Sequence, residues 1–169
     1  MADLKRLYRE LVSLEIELWN GIEGRLRAEY DLPLTSFEVL HLLLRRPGPR
    51  IQDIAEEFSI TVGGTSKVVD RLESAGLCER RANPADRRSS IVELTPKGRK
   101  LVDGALKVFE DELELRIGSV ITEQSVREMT AVLSTLRSAG RALDAERKDA
   151  GQTPAPTTRT PKQPGRPAE

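Results

Sequence analysis

The sequence predicts a mainly helical fold with one small β-hairpin. Apolar residues recur at intervals of three and four through most of the chain, which is the spacing of amphipathic helices. The segment between residues 77 and 94 departs from that spacing and resembles two short strands around a polar loop. Short helices precede these strands and long helices lie at both ends, so the order of elements predicts a winged helix-turn-helix between terminal helices.

The first helix is predicted from a long apolar stripe, and a similar stripe marks the last helix. Stripes this narrow and long often pack against other long helices. We expect a second copy of the chain to supply those helices and form a homodimer; the alternative is that the stripes only close the monomer's own core. The stripe residues are Leu4, Leu7, Leu11, Leu14, Leu18, Ile22 and Leu26 in the first helix, and Val126, Met129, Leu133, Leu136, Gly140 and Leu143 in the last.

The second helix is predicted to begin at a capping box and to end at prolines. Thr35 and Glu38 have the spacing at which each side chain satisfies the other's backbone N–H group. Pro47-Gly48-Pro49 then ends the helix, because proline cannot continue it.

A helix-turn-helix is predicted next along the chain. Its first helix is Ile51 to Phe58, where the small Ala55 permits close approach of the second helix. After a turn in which Ile60 is expected to point inward, the second helix runs from about Val62 to Ala75. Gly76 supplies its C-terminal stop.

The exposed side of this second helix carries the candidate DNA contacts. Two adjacent glycines near a helix start cost stability, so we expect the backbone there to approach a phosphate closely. Tight packing of the glycines against the preceding helix is the alternative. The candidate residues are Thr61, Gly63, Gly64, Thr65, Ser66, Lys67 and Arg71.

The predicted wing follows, with strands at Leu77 to Arg81 and Ser90 to Leu94 joined by a polar loop, residues 82–89. Arg87 and Arg88 near its tip fit the negative potential of a narrow minor groove, and Asp86 is placed to orient one of them.

Two further helices are predicted after the wing. Thr95-Pro96 supplies an N-cap and a proline in the first helical position, opening a helix to about Val120. Thr122 caps the last helix. The predicted divisions are therefore residues 1–32 (N-terminal dimerisation helix), 33–98 (winged domain), 99–147 (C-terminal dimerisation helices) and 148–169 (a disordered proline-rich tail).

The charge distribution supports double-stranded DNA as a partner. Formal net charge is zero, but residues 45–100 hold 12 basic and 8 acidic side chains, whereas residues 1–44 hold 5 and 8 and residues 101–147 hold 6 and 9. A basic middle between acidic flanks is expected when one face meets phosphate. A sequence-indifferent, nucleoid-like DNA binder would share this pattern and is the main alternative.

Other functional classes are poorly supported. The chain has one histidine and one cysteine, no glycine-rich phosphate loop and no paired carboxylates in a motif, so we expect neither an enzyme nor a metal or cofactor site. The single cysteine excludes an intrachain disulfide, and no secretory leader or membrane-length apolar run is evident. A cytoplasmic protein without a membrane partner is the expectation.

Four short motifs make the chain resemble the MarR family of bacterial transcriptional regulators. They are Asp70-Arg71-Leu72, Ala75-Gly76-Leu77, Asp86-Arg87-Arg88 and Leu94-Thr95-Pro96-Lys97-Gly98, within a similarity that covers about residues 4–147. The resemblance implies a homodimer, joined through its first and last helices, whose recognition helices enter successive major grooves of a pseudo-palindromic operator. It also implies that Arg88 lies in the minor groove and Arg87 on or near the backbone.

By the same resemblance, the protein is expected to repress transcription and to release DNA when a small aromatic or anionic effector binds. Trp19 and His41 fall near the position of the family's effector cavity, although a role in the core is the alternative for each. Oxidant sensing through a first-helix cysteine is not expected here. Cys78 instead follows the recognition helix, and we expect it to be a small buried residue of the first strand.

Overall fold

The computed structural model describes residues 3–150, apart from the side chains of residues 87 and 148. It is mainly helical with one antiparallel hairpin, which confirms the predicted fold class. The elements are α1 (Leu4–Tyr30), α2 (Leu34–Arg45), α3 (Ile51–Phe58), α4 (Val62–Ser74), β1 (Cys78–Asn83), β2 (Asp86–Leu94), α5 (Pro96–Leu113), a π-helical turn (Glu114–Gly118) and α6 (Glu123–Asp149).

The chain divides into two compact units, with the boundary between residues 121 and 122. In the first unit, α5 packs against α1 and α2, and α2 also contacts α4 and β2. The rings of Phe37 in α2 and Phe109 in α5 meet with centroids 5.0 Å apart. One hydrophobic core thus joins α1, α2 and α5 to the winged elements, and its fully buried side chains include Leu26, Phe37, Leu40, Ile54, Val69, Val92 and Val102.

The predicted capping box of α2 is wrong. The helix begins at Leu34, so Thr35 lies inside its first turn, and the N-cap position is Pro33, which has no side-chain cap. The carboxylate of Glu23 in α1 instead accepts a hydrogen bond from the backbone N–H of Leu34. Tertiary packing has therefore replaced a local cap with one from another helix.

The hairpin also differs from the prediction. Strands β1 and β2 extend further than expected, and only Pro84 and Ala85 lie between them. Ala82 pairs with Ser90 and Asn83 pairs with Asp86, so residues 87–89 bulge out of β2. The two arginines of the wing therefore belong to a bulged strand and not to an open loop.

Helix α5 ends earlier than Val120, the end predicted from sequence. Its last residue is Leu113, and the chain continues into the π-helical turn. The side chain of Glu112 is 4% exposed and pairs with Arg116 at 2.5 Å and with Arg25 at 3.5 Å. These pairs tie the end of α5 to α1 and lower the pKa of Glu112, chiefly through the hydrogen bond from Arg116.

The second unit contains α6, with Thr122 at its start as predicted. The hydroxyl oxygen of Thr122 accepts the backbone N–H of Ser125 at 3.2 Å. The helix continues to Asp149, past the predicted boundary at residue 147, and the proline-rich segment from residue 151 lies outside the described residues. No helix within residues 3–150 is long and apolar enough to cross a membrane.

Candidate nucleic-acid interface

The turn between α3 and α4 is fixed by backbone hydrogen bonds. Ser59 adopts a left-handed conformation with φ of 54°, and its N–H donates to the carbonyl of Glu56 at 3.2 Å. The N–H of Ile60 donates to the carbonyl of Ala55 at 3.0 Å. Ala55 is buried, as predicted, but the inward orientation expected for Ile60 is wrong, because that side chain is 44% exposed.

Helix α4 has the start and stop that the sequence predicts. The hydroxyl oxygen of Thr61 accepts the N–H of Gly64 at 3.1 Å, which makes Thr61 the N-cap. The helix ends at Ser74, and Gly76 follows with φ of 70°, a conformation that favours glycine.

Most of the candidate DNA contacts on α4 are accessible, and Thr65 is the exception. Its side chain is fully buried, and its hydroxyl donates to the carbonyl of Thr61 at 3.1 Å. Thr65 lies on the same helix face as Val68, Val69 and Leu72, which explains its burial. The expectation that its side chain meets DNA is therefore wrong, whereas Thr61, Gly63, Gly64, Lys67 and Arg71 are exposed and Ser66 is half-buried.

The two glycines of α4 do not pack against α3. A Cβ built on Gly63 would have no neighbouring atom within 4 Å, and one built on Gly64 would meet only the Thr61 hydroxyl, at 3.1 Å. Tight helix packing, the alternative considered above, therefore does not explain either glycine. The backbone at the start of α4 instead presents an open surface.

Arg80 of β1 ties the wing to the recognition helix α4. Its guanidinium pairs with Asp70 at 2.5 Å and also with Glu73, and its backbone N–H donates to Glu73 at 2.8 Å. These contacts hold the pKa of the Glu73 carboxyl below its ordinary value, the backbone hydrogen bond having the largest effect. Because both acids lie on α4, a single arginine fixes the helix against the hairpin and neutralises part of its negative charge.

The segment that starts α5 is hydrogen-bonded to the C-terminal end of α4. The Thr95 hydroxyl donates to the carbonyl of Gly76 at 2.7 Å and accepts the N–H of Gly98 at 3.0 Å. The Lys97 ammonium donates to the carbonyl of Ala75 at 2.8 Å. A Cβ at Gly98 would overlap the carbonyl oxygen of Leu77, so glycine permits this close approach. We call Thr95 to Gly98 the α4 clamp.

Sequence reasoning recognised Thr95 as an N-cap but missed that the α4 clamp holds the recognition helix. From the sequence, these four residues indicated the start of α5 and no contact with α4. The available signal was their position, since they follow the wing directly and close the winged unit.

The wing is organised by short side chains around its turn. The Asp86 carboxylate accepts the backbone N–H of Arg88 at 3.0 Å, and the Asn83 side chain accepts the N–H of Ala85 at 2.9 Å. Ser89 donates to the carbonyl of Asp86 at 3.1 Å and accepts from the Asn83 amide at 2.9 Å. Asp86 thus orders the backbone of Arg88, whose side chain is exposed, while the side chain of residue 87 lies outside the described residues.

The three residues considered for sensing have different environments. Cys78 is 1% exposed, and burial, as the main cause, raises the pKa of its thiol to about 11, which confirms it as a buried strand residue. Trp19 is half-buried and packs against the core. The ring of His41 lies 5.5 Å from that of Phe37 and 6.4 Å from that of Phe109, and burial lowers its pKa. Both Trp19 and His41 therefore lie at the edge of the first unit's core.

An exposed helix of a helix-turn-helix, held by a wing with an exposed arginine, is the architecture of a winged DNA-binding domain. Comparison with known proteins gives the family. The MarR family model matches residues 32–90. The transcriptional regulator MhqR of Bacillus subtilis is 32% identical over 62% of this chain and 72% of its own length. The chain belongs to the MarR family.

Solved structures share this fold. The transcriptional repressor CouR, bound to a 23-mer DNA duplex, has a TM-score of 0.72 and 29% identity, covering 81% of this chain and 96% of its own. Sco3205, a MarR-family regulator from Streptomyces coelicolor in complex with DNA, has a TM-score of 0.76 and 19% identity, covering 82% of this chain and 88% of its own. The second likeness shows the fold alone.

Proposed function

We propose that this MarR-family regulator is a repressor that binds a pseudo-palindromic operator as a homodimer and releases it when a small molecule binds. The observation that carries the DNA contact is the exposed start of α4, held between Arg80 and the α4 clamp. In this proposal Thr61, Gly63, Gly64, Ser66, Lys67 and Arg71 contact the major groove, Arg88 enters the minor groove and Arg87 lies near the backbone. The naming of CouR as a repressor supports repression here.

Exposed apolar side chains on the terminal helices support the homodimer. In α1, Leu4, Leu7 and Leu14 are 71%, 50% and 40% exposed. In α6, Leu136 is 53% and Leu143 55% exposed. Side chains of this size stabilise a protein when buried, and a second copy of the chain would bury both sets at once.

The test of the homodimer is analytical ultracentrifugation of the full chain at micromolar concentration. We expect a dimer, and we expect Leu136→Lys to dissociate it. Ser138→Lys is the matched control, because residues 136 and 138 are two positions apart, about 200° around the helix, and lie on opposite sides of it. A monomer in the unchanged chain, or equal effects of the two substitutions, would contradict the dimer.

The test of operator binding is selection from a random duplex library followed by footprinting. We expect a pseudo-palindrome with half-site centres about 10 bp apart, bound by two chains. Uniform coating of unrelated duplexes would instead favour the nucleoid-like binder considered above.

Effector release is proposed for a small aromatic or anionic molecule that binds near Trp19 and His41. Both residues lie at the edge of the core, on α1 and α2, and they are among the few aromatic side chains of the chain. A ligand releases DNA only if it prefers the DNA-incompetent arrangement, with coupling of about 1–3 kcal/mol typical. The test is a panel of aromatic acids, screened by Trp fluorescence and by release of DNA. We expect a ligand that releases DNA from the unchanged chain and does so less well from Trp19→Phe and from His41→Ala. If both variants release DNA as readily as the unchanged chain, the pocket lies elsewhere.

A further inference from the structure

Two apolar side chains at the start of the recognition helix are exposed without an explanation from the fold. Ile60 is 44% and Val62 53% exposed, on either side of the N-cap Thr61. The other large apolar side chains with comparable exposure lie in α1, in α6, or in the segment between α5 and α6. Among the described side chains between residues 31 and 113, Ile60 and Val62 are the only large apolar ones that are this exposed.

Backbone hydrogen bonds fix the segment that carries these two side chains. The N–H of Ile60 is bonded to Ala55, and the N–H of Thr65 donates to the carbonyl of Thr61 at 2.9 Å, so the backbone is held on both sides of Val62. Val62 is the first residue of α4, and the next two positions are the open glycines 63 and 64. No side chain from these two positions would therefore stand between Val62 and a surface that α4 approaches.

We propose that Val62 contacts the 5-methyl group of a thymine in each operator half-site, with Ile60 beside it. The inference rests on the proposed binding of α4 to the major groove. N-terminal residues of a recognition helix are the ones that reach base edges there. Among the four bases, thymine alone presents an apolar group on its major-groove edge, so an exposed valine at this point favours a thymine. Val62 is then a specificity-determining residue that the polar candidates on α4 do not include.

Replacing thymine by deoxyuridine tests this contact, because it removes the methyl group and leaves base pairing unchanged. A duplex selected from a random library with the full chain is resynthesised with deoxyuridine at each thymine in turn. We expect each half-site to contain one thymine that Val62 contacts. Replacing this thymine in one half-site should raise Kd about fourfold, which corresponds to the loss of one buried methyl group. Replacing that thymine in both half-sites should raise Kd about sixteenfold.

The same duplexes bound by Val62→Ala complete the test. The variant should bind the thymine duplex more weakly, and its ratio of affinities for thymine and deoxyuridine should fall towards one. Val120→Ala is the matched control, since Val120 is 71% exposed in the segment between α5 and α6, away from α4 in the chain. It should keep the full ratio. Thermal melting should show both variants folded.

The outcomes separate this inference from the proposed function. Failure to select any sequence would overturn operator recognition and the thymine contact together. A selected operator at which no deoxyuridine changes Kd, or an undiminished ratio in Val62→Ala, would overturn the thymine contact alone. Loss of dimerisation in Val62→Ala would show instead that Ile60 and Val62 belong to a protein interface.

Discussion

Replacing Gly63 by alanine should change stability and DNA affinity in opposite directions. Alanine is favoured over glycine by about 1 kcal/mol in a helix interior and by less in the first turn. No atom lies within 4 Å of the added Cβ, so no steric cost offsets this gain. We expect a stabilisation of about 0.5 kcal/mol, which raises the melting temperature by about 1–2 °C in a protein of this size.

The same methyl group should weaken operator binding. If the backbone at Gly63 approaches the DNA closely, a Cβ there either displaces the helix or removes the contact. We expect Kd to rise on the order of tenfold, which corresponds to about 1.4 kcal/mol. A substitution that stabilises the free protein while weakening the complex cannot be explained by partial unfolding.

The measurements are thermal melting and titration of an operator duplex at fixed salt. Gly24→Ala is the control, because Gly24 lies in α1 and its Cβ would also have no neighbour within 4 Å. It should raise the melting temperature without changing Kd. An unchanged Kd for Gly63→Ala would refute the close approach of the backbone, and a lower melting temperature would refute the open environment of Gly63.

Three further predictions concern the wing, the α4 clamp and the buried thiol. Arg88→Ala should weaken operator binding by about 1–3 kcal/mol at unchanged melting temperature; a collapse of the melting temperature would give the residue a structural role. Lys97→Met removes the contact to Ala75 and should weaken DNA binding without changing the slope of log K against log salt concentration. Lys67→Met should instead reduce the magnitude of that slope by about 1. A reduced slope for Lys97→Met would mean that Lys97 contacts phosphate. Cys78 should react with iodoacetamide at pH 7 only on unfolding, since burial raises its pKa to about 11, and rapid labelling of the native protein would contradict this.

Signals that act within a few residues were sufficient to predict much of the fold. The bounds of α3, the stop of α4 at Gly76 and the opening of α5 at Thr95-Pro96 all agree with the structure. Each depends on a local property: apolar periodicity, the freedom of glycine at positive φ, or a hydroxyl that accepts a nearby backbone N–H. Such preferences need no knowledge of what the segment packs against.

Several features of the site were decided by contacts between distant residues. Thr65 and Lys67 are both polar and two residues apart, yet packing buries one and exposes the other. The cap of α2 comes from Glu23 of α1, which lies beside the N–H of Leu34, and a local capping pattern could not reveal that contact.

The sequence by itself determined the class of fold and the order of its elements, because periodicity and turn residues act locally. Only the tertiary structure decided that Thr65 is buried on α4, how the hairpin is paired, and that the α4 clamp and Arg80 hold the recognition helix. Helix contacts and strand register depend on the packing of the whole first unit, in which residues far apart in the chain compete for the same core. That packing also left Ile60 and Val62 exposed beside Thr61.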